Sequence, residues 1–285
     1  MTAPAELDRT IQRLERVHRF HARRDRVLAV LTPAAFLALW EIVARADILD
    51  ARLFSMPSRV AVRAFEMVTT GELAEHVGMT LFRIGTGYVI GAILGVLVGL
   101  ALGWSRILRA AFSPTLSAFY AVPKIALLPL LLLLFGIGET TKVMVVVLAV
   151  FFILEINTES GVRNTDTRLV EAGRAFGARD LKLFRHVILP AAMPSIFTGL
   201  RVAAGLAMVV IVAAEFVASN EGLGYLIWHS WTLLRPDRMF VGLMVTAALG
   251  ALLIGLIMRV EGLALPWRRT EERRRAKGAS ATASR

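Results

Sequence analysis

The chain has 285 residues, of which 56% are hydrophobic, with a mean hydropathy of +0.63 and a formal charge of +11. Ordinary soluble domains hold about 45–50% apolar residues, so the composition points to a membrane protein. The 33 Lys and Arg gather at the ends and between apolar runs, a placement that suits orientation in a bilayer and not a nucleic-acid surface; with no cysteine, disulfides and thiolate metal sites are excluded.

In chain order, residues 1–26 carry seven arginines and no apolar core, so they read as a basic segment and not as a cleaved secretory signal. A membrane span needs about 20 mostly apolar residues. Six stretches are predicted to qualify: 27–46, 84–104, 116–137, 144–156, 195–217 and 240–260. The fourth is short unless Thr141, Lys142, Glu155 and Asn157 sit at the interfaces, where a lysine can snorkel. Lys and Arg accumulate on the cytoplasmic side. With the N-terminus inside, segments 1–26, 103–112, 160–192 and 259–285 hold 23 of the 33, so both termini and the 160–192 segment are expected in the cytoplasm. The turn at Met56, Pro57 and Ser58 and the stretch Leu234, Arg235, Pro236, Asp237 then fall outside. The expected fold class is an all-α, polytopic bundle of six transmembrane helices. The expected division is a basic cytoplasmic segment 1–26, a transmembrane domain 27–262 and a basic tail 263–285 close to anionic lipid headgroups.

The second span places Gly87, Gly91, Gly95, Gly99 and Gly103 four residues apart, hence on one helical stripe. Such a stripe lets another backbone approach closely, either within the same chain or from a second copy.

Between the fourth and fifth spans lies VEAGRAFGARDLKLFRHVILP, residues 170–190. Capping residues at Asn164, Thr165, Asp166 and Thr167 predict a helix that runs to Gly177, the residue expected just past a helix end. Leu169, Ala172 with Gly173, and Phe176 form one small apolar face, flanked by Glu171 and arginines. Asp180 is expected to cap a second short helix with Leu181, Phe184 and Ile188 facing one way, and Pro190 to close it or open the next element.

Glu171, Ala172, Gly173 and Gly177, then nine residues and Val187, Ile188, Leu189, Pro190, resemble the E-A-A-x-x-x-G-x(9)-I-x-L-P signature of bacterial ABC importer permeases, with glycine in place of the third alanine. Two further stretches are similar to the nitrate/sulfonate/taurine class of that family. One is Ala121–Pro129 followed by Phe135, Gly136, Ile137, Gly138 and Glu139. The other comprises Thr198–Arg201, Val212–Glu215 and Gly222–Trp228. The resemblance covers about residues 75–265, with the importer core expected at about 75–262. It implies a permease that pairs with a second permease copy, two cytoplasmic ABC ATPase subunits and an extracytoplasmic solute-binding protein. It also implies that the pair of short helices between spans 4 and 5 is the coupling element, with Leu169, Glu171, Ala172, Gly173, Phe176, Gly177, Leu189 and Pro190 meeting the ATPase. The chain holds no G-x-x-x-x-G-K-[ST], so ATP and Mg are expected on the partner ATPase and no cofactor in this chain.

Charges inside spans are rare and face cavities or partners. Arg201 is expected either to attract an anionic solute, to pin an inner gate, or to serve packing, and Glu215 to sit near the outer mouth as a gate or structural contact. Lys124, expected toward the inner interface, is a third candidate for the solute path, and Pro123 with Pro129 either frees carbonyls that line it or merely kinks the span. Glu41 and Glu155 are assigned no role, the five histidines show no metal-ligand spacing, and Trp228 with Trp231 reads as an interface belt. The alternatives are an intramembrane enzyme, for which no H-E-x-x-H, G-x-S-x-G or aspartate pair is present, and an ATP-independent secondary transporter, which would be expected to show repeat halves.

Overall fold

A computed structural model describes residues 24, 27–29, 31–46, 50 and 53–266, and every regular element among them is helical. The elements are α1 (Val27–Arg45), α2 (Pro57–Thr69), α3 (Glu72–Trp104), α4 (Arg106–Ala121), a 3₁₀ turn (Lys124–Leu127), α5 (Leu128–Phe135), α6 (Glu139–Arg163), α7 (Thr167–Ala175), α8 (Asp180–Leu183), a π-helical turn (Phe184–Ile188), α9 (Leu189–Ala218), α10 (Leu223–Thr232) and α11 (Pro236–Ala264). Among the described residues five helices are long and apolar enough to cross a membrane, and the bent pair of α4 with Lys124–Phe135, if it counts as one span, brings the candidates to six. The predicted residues 1–23 and 267–285 lie outside the described residues.

The core is a parallel pair, α3 and α6, crossed by the antiparallel α9. The glycine stripe decides the first contact. A Cβ on Gly87, Gly91, Gly95, Gly99 or Gly103 would lie 2.6–2.9 Å from the Cβ of Val146, Val150, Leu154, Thr158 or Val162. Each glycine meets the residue 59 positions later, so the two helices stay in register over their whole overlap. The partner of the stripe is therefore a helix of the same chain. Lipid supplies no hydrophobic drive between helices, and backbone approach of this kind supplies packing contacts instead. On the other face of α6, Gly161 and Gly199 admit Ser195 and Asn157 in the same way, and Ile84, Val146, Val150, Leu154, Ala203, Ala207 and Ile211 fill the space between the three helices. The most apolar stretch of α6 is 61% buried, against 6% for α1, so α1 lies at the periphery.

Several expected boundaries move. The second span starts three turns earlier, at Glu72, and the fourth runs from Glu139 to Arg163, with Lys142 and Glu155 buried against the neighbouring helices. The third span, 116–137, in which the prolines are expected to kink the helix or free its carbonyls, is broken outright: α4 and the segment Lys124–Phe135 meet at 92°. The cause is local. Val122 precedes a proline and adopts an extended backbone (φ −72°, ψ 127°), and Pro123 has no N–H to continue the ladder. Pro57 opens α2, a short amphipathic helix whose Arg63 bonds Asp237 of α11 at 2.6 Å; that hydrogen bond raises the Arg63 pKa and ties α2 to the last span. Glu72 and Arg238 make a second link between α3 and α11.

Candidate functional site

The 165–190 segment forms a knob at the Trp104–Arg163 end of the bundle. Asp166 caps α7 by accepting from the Arg168 N–H at 2.9 Å. The helix ends at a glycine with φ +82°: the Gly177 N–H donates to Arg174 O and the Ala178 N–H to Gly173 O, closing the last turn. Here glycine is required because other residues adopt a left-handed backbone at a cost of about 1–2 kcal/mol. Past the turn, the structure corrects the expected second short helix. Arg179, not Asp180, occupies the cap position, and Asp180 makes no capping bond. Of the two roles expected for Pro190, it opens the next element, standing in the first turn of α9, but the helix does not break there. It passes through the π turn, in which the Leu189 N–H reaches back five residues to Phe184 O, and continues to Ala218 as one apolar stretch, Asp180–Ala218.

This continuity divides the eight residues expected to meet an ATPase. Leu169 (51% exposed), Glu171, Ala172, Phe176 (93% exposed) and Gly177 are on the outside of the knob, and Leu181 adds a further exposed apolar side chain (74%). Gly173 faces inward, so close to Leu183 and Val187 that a Cβ there would meet their side chains at 2.9–3.0 Å. Leu189 and Pro190 belong to the start of α9, both half-buried, Leu189 against Val162, Leu183 and Ile188, and are not brought together with Phe176. Trp104 at the end of α3 packs edge-on against Phe184, 5.0 Å between centroids. The knob is thus bolted to α9 and α3 through its inner face while its outer face is apolar and bare.

The four residues expected along a solute path occupy three separate places. Arg201 pairs with Glu261 of α11 at 2.6 Å and donates to Thr198. Glu215 lies 14 residues further along α9, about 21 Å at 1.5 Å per residue, and is fully buried. Pro123 and Lys124 border a cavity of about 480 Å³ between the α4–α5 break and α9. This cavity is level with Ala149 and Ile153 in the middle of α6, so Lys124 sits at mid-bundle and not toward the inner interface. Its ammonium donates to the carbonyls of Phe119, Tyr120 and Val122 at 2.7–2.9 Å, closing the open C-terminus of α4, and stands over the Phe152 ring.

Glu215 is explained by a network that the sequence reading left out. Its carboxylate accepts from Arg83 (2.7 Å), Thr80 and the Gly224 N–H, while Arg83 forks onto Glu139 at 2.5 and 2.8 Å and donates to Glu221 O. Lys142 completes it, donating to Glu139 at 2.6 Å and to Ser219. The network joins α3, α6, α9 and the turn into α10. Gly222 (φ +107°) is forced there by position as well, since a Cβ would fall 2.4 Å from a Glu215 oxygen. The available signal was Arg83, one residue before an apolar run, together with the rule that a carboxylate inside a span needs a partner. Glu155 is the opposite case: buried, with Oε2 lacking any hydrogen-bond partner, beside the equally unpartnered hydroxyl of Thr158.

Comparison with known proteins decides what this architecture is. Residues 87–263 match the family model described as the inner membrane component of binding-protein-dependent transport systems. The chain belongs to that family. This permease is 31% identical over 243 residues to the putative aliphatic sulfonates transport permease SsuC of Bacillus subtilis, covering 85% of this chain and 88% of the relative. It is 35% identical over 242 residues to the Escherichia coli SsuC (85% and 92%), and 29% identical over 254 residues to the taurine transport permease TauC of Escherichia coli (87% and 92%). Among solved structures, an inward-facing methionine ABC transporter, MetNI, superposes with a TM-score of 0.52 at 22% identity, over 66% of this chain and 91% of that one, a likeness of fold. The permease is a transport subunit, so the intramembrane-enzyme alternative falls away.

Proposed function

We propose that the chain forms the membrane pathway of an ATP-driven importer for a small anionic or zwitterionic solute, sulfonate or taurine in kind, and that residues 165–190 couple it to two cytoplasmic ATPase subunits that bind ATP and Mg. A second copy of the permease and an extracytoplasmic solute-binding protein complete the assembly, and both termini lie in the cytoplasm. The sulfonate and taurine permeases among its relatives support the solute class.

The observation that carries the coupling proposal is the outer face of the knob. Phe176 in the α7–α8 turn, Leu181 in α8 and Leu169 in the first turn of α7 are all exposed, Phe176 and Leu181 most fully, and Arg168, Glu171, Arg174 and Arg179 on the same segment are exposed with them. Full burial of each apolar side chain contributes about 1.5–3 kcal/mol. A partner shifts a two-state equilibrium only through differential affinity, and moving it from 1:99 to 99:1 takes about 5.5 kcal/mol. Two or three such side chains supply that scale. The inner face makes the transmission rigid: displacement of α7 acts through Gly173 on Leu183 and Val187, hence on the continuous helix that carries Arg201, the cavity wall and Glu215.

The experiment is Phe176→Asp in the permease co-expressed with its ATPase subunits. The expected result is normal membrane insertion, with uptake and ATPase co-purification lost together. Normal co-purification and uptake would overturn the proposal.

A further inference from the structure

Three lysine and arginine side chains are buried among the described residues: Arg83, Lys124 and Lys142. Two of them face carboxylates, Arg83 with Glu139 and Glu215, Lys142 with Glu139. Lys124 faces none. Its three protons rest on carbonyl oxygens and its charge on ring faces, and it is 8% exposed. The C-terminal dipole of α4 offsets about half a charge, so a net positive field remains.

That field acts on a particular space. The cavity at the break is walled by Ile153, Leu206, Val209, Val210 and Ala213, and Lys124 is the one charged side chain among its lining residues. Apolar walls screen a charge far less than water does. The cavity of about 390 Å³ beside the ion network is different: Arg83 and Lys142 there are matched by Glu139 and Glu221. We infer that the cavity at the α4–α5 break is an anion subsite, with Lys124 as the group that sets the sign of charge admitted, and that its ligands are small organic monoanions bearing an oxyanion head such as a sulfonate. An oxyanion entering it takes over one of the N–H donations now made to the carbonyls of Phe119, Tyr120 and Val122. The inference deepens the importer reading and rests on solute passing between the break and α9.

The absence of cysteine gives the test a clean background. Val209→Cys puts a thiol on the cavity wall, in the full chain in membrane vesicles with its ATPase subunits. Its modification rate is measured with ethylsulfonate methanethiosulfonate and with the trimethylammonium analogue, and the ratio is normalised to that of free cysteine. Thiolate reactivity cancels in the ratio, which therefore reads the field. We expect a preference for the sulfonate reagent of at least about tenfold, kept by Lys124→Arg and reduced to about unity by Lys124→Gln. Ethanesulfonate is also expected to slow modification by the neutral methyl reagent in the parent and not in Lys124→Gln. A ratio near unity in the parent, a ratio unmoved by Lys124→Gln, or no protection by ethanesulfonate would overturn the inference. Failure of the importer reading would show elsewhere, as uptake indifferent to Phe176→Asp with the charge ratio intact.

Discussion

Arg83→Met removes the centre of the buried ion network, and the structure fixes what is left behind. Glu139 keeps Lys142 at 2.6 Å, but Glu215, fully buried, keeps only the Thr80 hydroxyl and the Gly224 N–H and has no countercharge. Breaking one partner of a buried ion pair costs about 3–5 kcal/mol. In thermal unfolding of the detergent-solubilised permease this corresponds to a fall of at least about 6–12 °C in midpoint, taking about 2–4 °C per kcal/mol for a chain of this size. Glu215→Gln in the same background removes the stranded charge while leaving an acceptor for Thr80 and Gly224. The double variant is therefore expected to recover about 2 kcal/mol or more, because replacing both partners is far less costly than orphaning one. A double variant no more stable than Arg83→Met alone would refute the reasoning, and with it the claim that this network holds α3, α6 and α9 together at that end.

Gly95→Leu forces its side chain into Phe151 O, which lies 2.6 Å from where its Cβ would sit; overpacking of this kind costs about 1–3 kcal/mol or more, and loss of folded protein in fluorescence-detected size exclusion checks it. Glu155→Gln removes a buried carboxylate with an unpartnered oxygen, so its thermal midpoint is expected to equal or exceed that of the parent. The Arg201→Met, Glu261→Met pair tests a packing role for Arg201: uptake near the parent level is expected, and loss of uptake in a stably folded double variant would make Arg201 a solute contact instead.

What the sequence made legible was what depends on spacing along one helix. The glycine stripe, the Asp166 cap and the Gly177 turn appear where periodicity and capping chemistry placed them, while the apolar face of α7 is split, with Leu169, Ala172 and Phe176 outside and Gly173 turned inward. What escaped it depends on contacts between helices. The partner of the stripe is a choice between helices that the stripe itself does not make. Arg83 read as a span boundary because hydropathy windows end at charges, whereas a charge with a buried partner lies inside α3, a full three turns from its start. Pro190, lacking an N–H, was expected to close one helix or open the next; it stands in the first turn of α9, and the π turn before it lets the helix continue without a break. The 92° bend at Val122 and Pro123 was signalled by Pro, but its consequence, a lysine turned back to cap α4 beside a cavity, requires the tertiary fold.

Central to the account is that the bare apolar knob is a handle for an ATPase. A photo-crosslinking residue in place of Phe176, activated in native membranes, tests this most directly. The account predicts one dominant adduct, containing the ABC ATPase subunit, with a yield that changes when a non-hydrolysable ATP analogue is added to inverted vesicles. Adducts with lipid alone, or labelling of Phe176→Cys by an impermeant thiol reagent added outside intact cells, would contradict it.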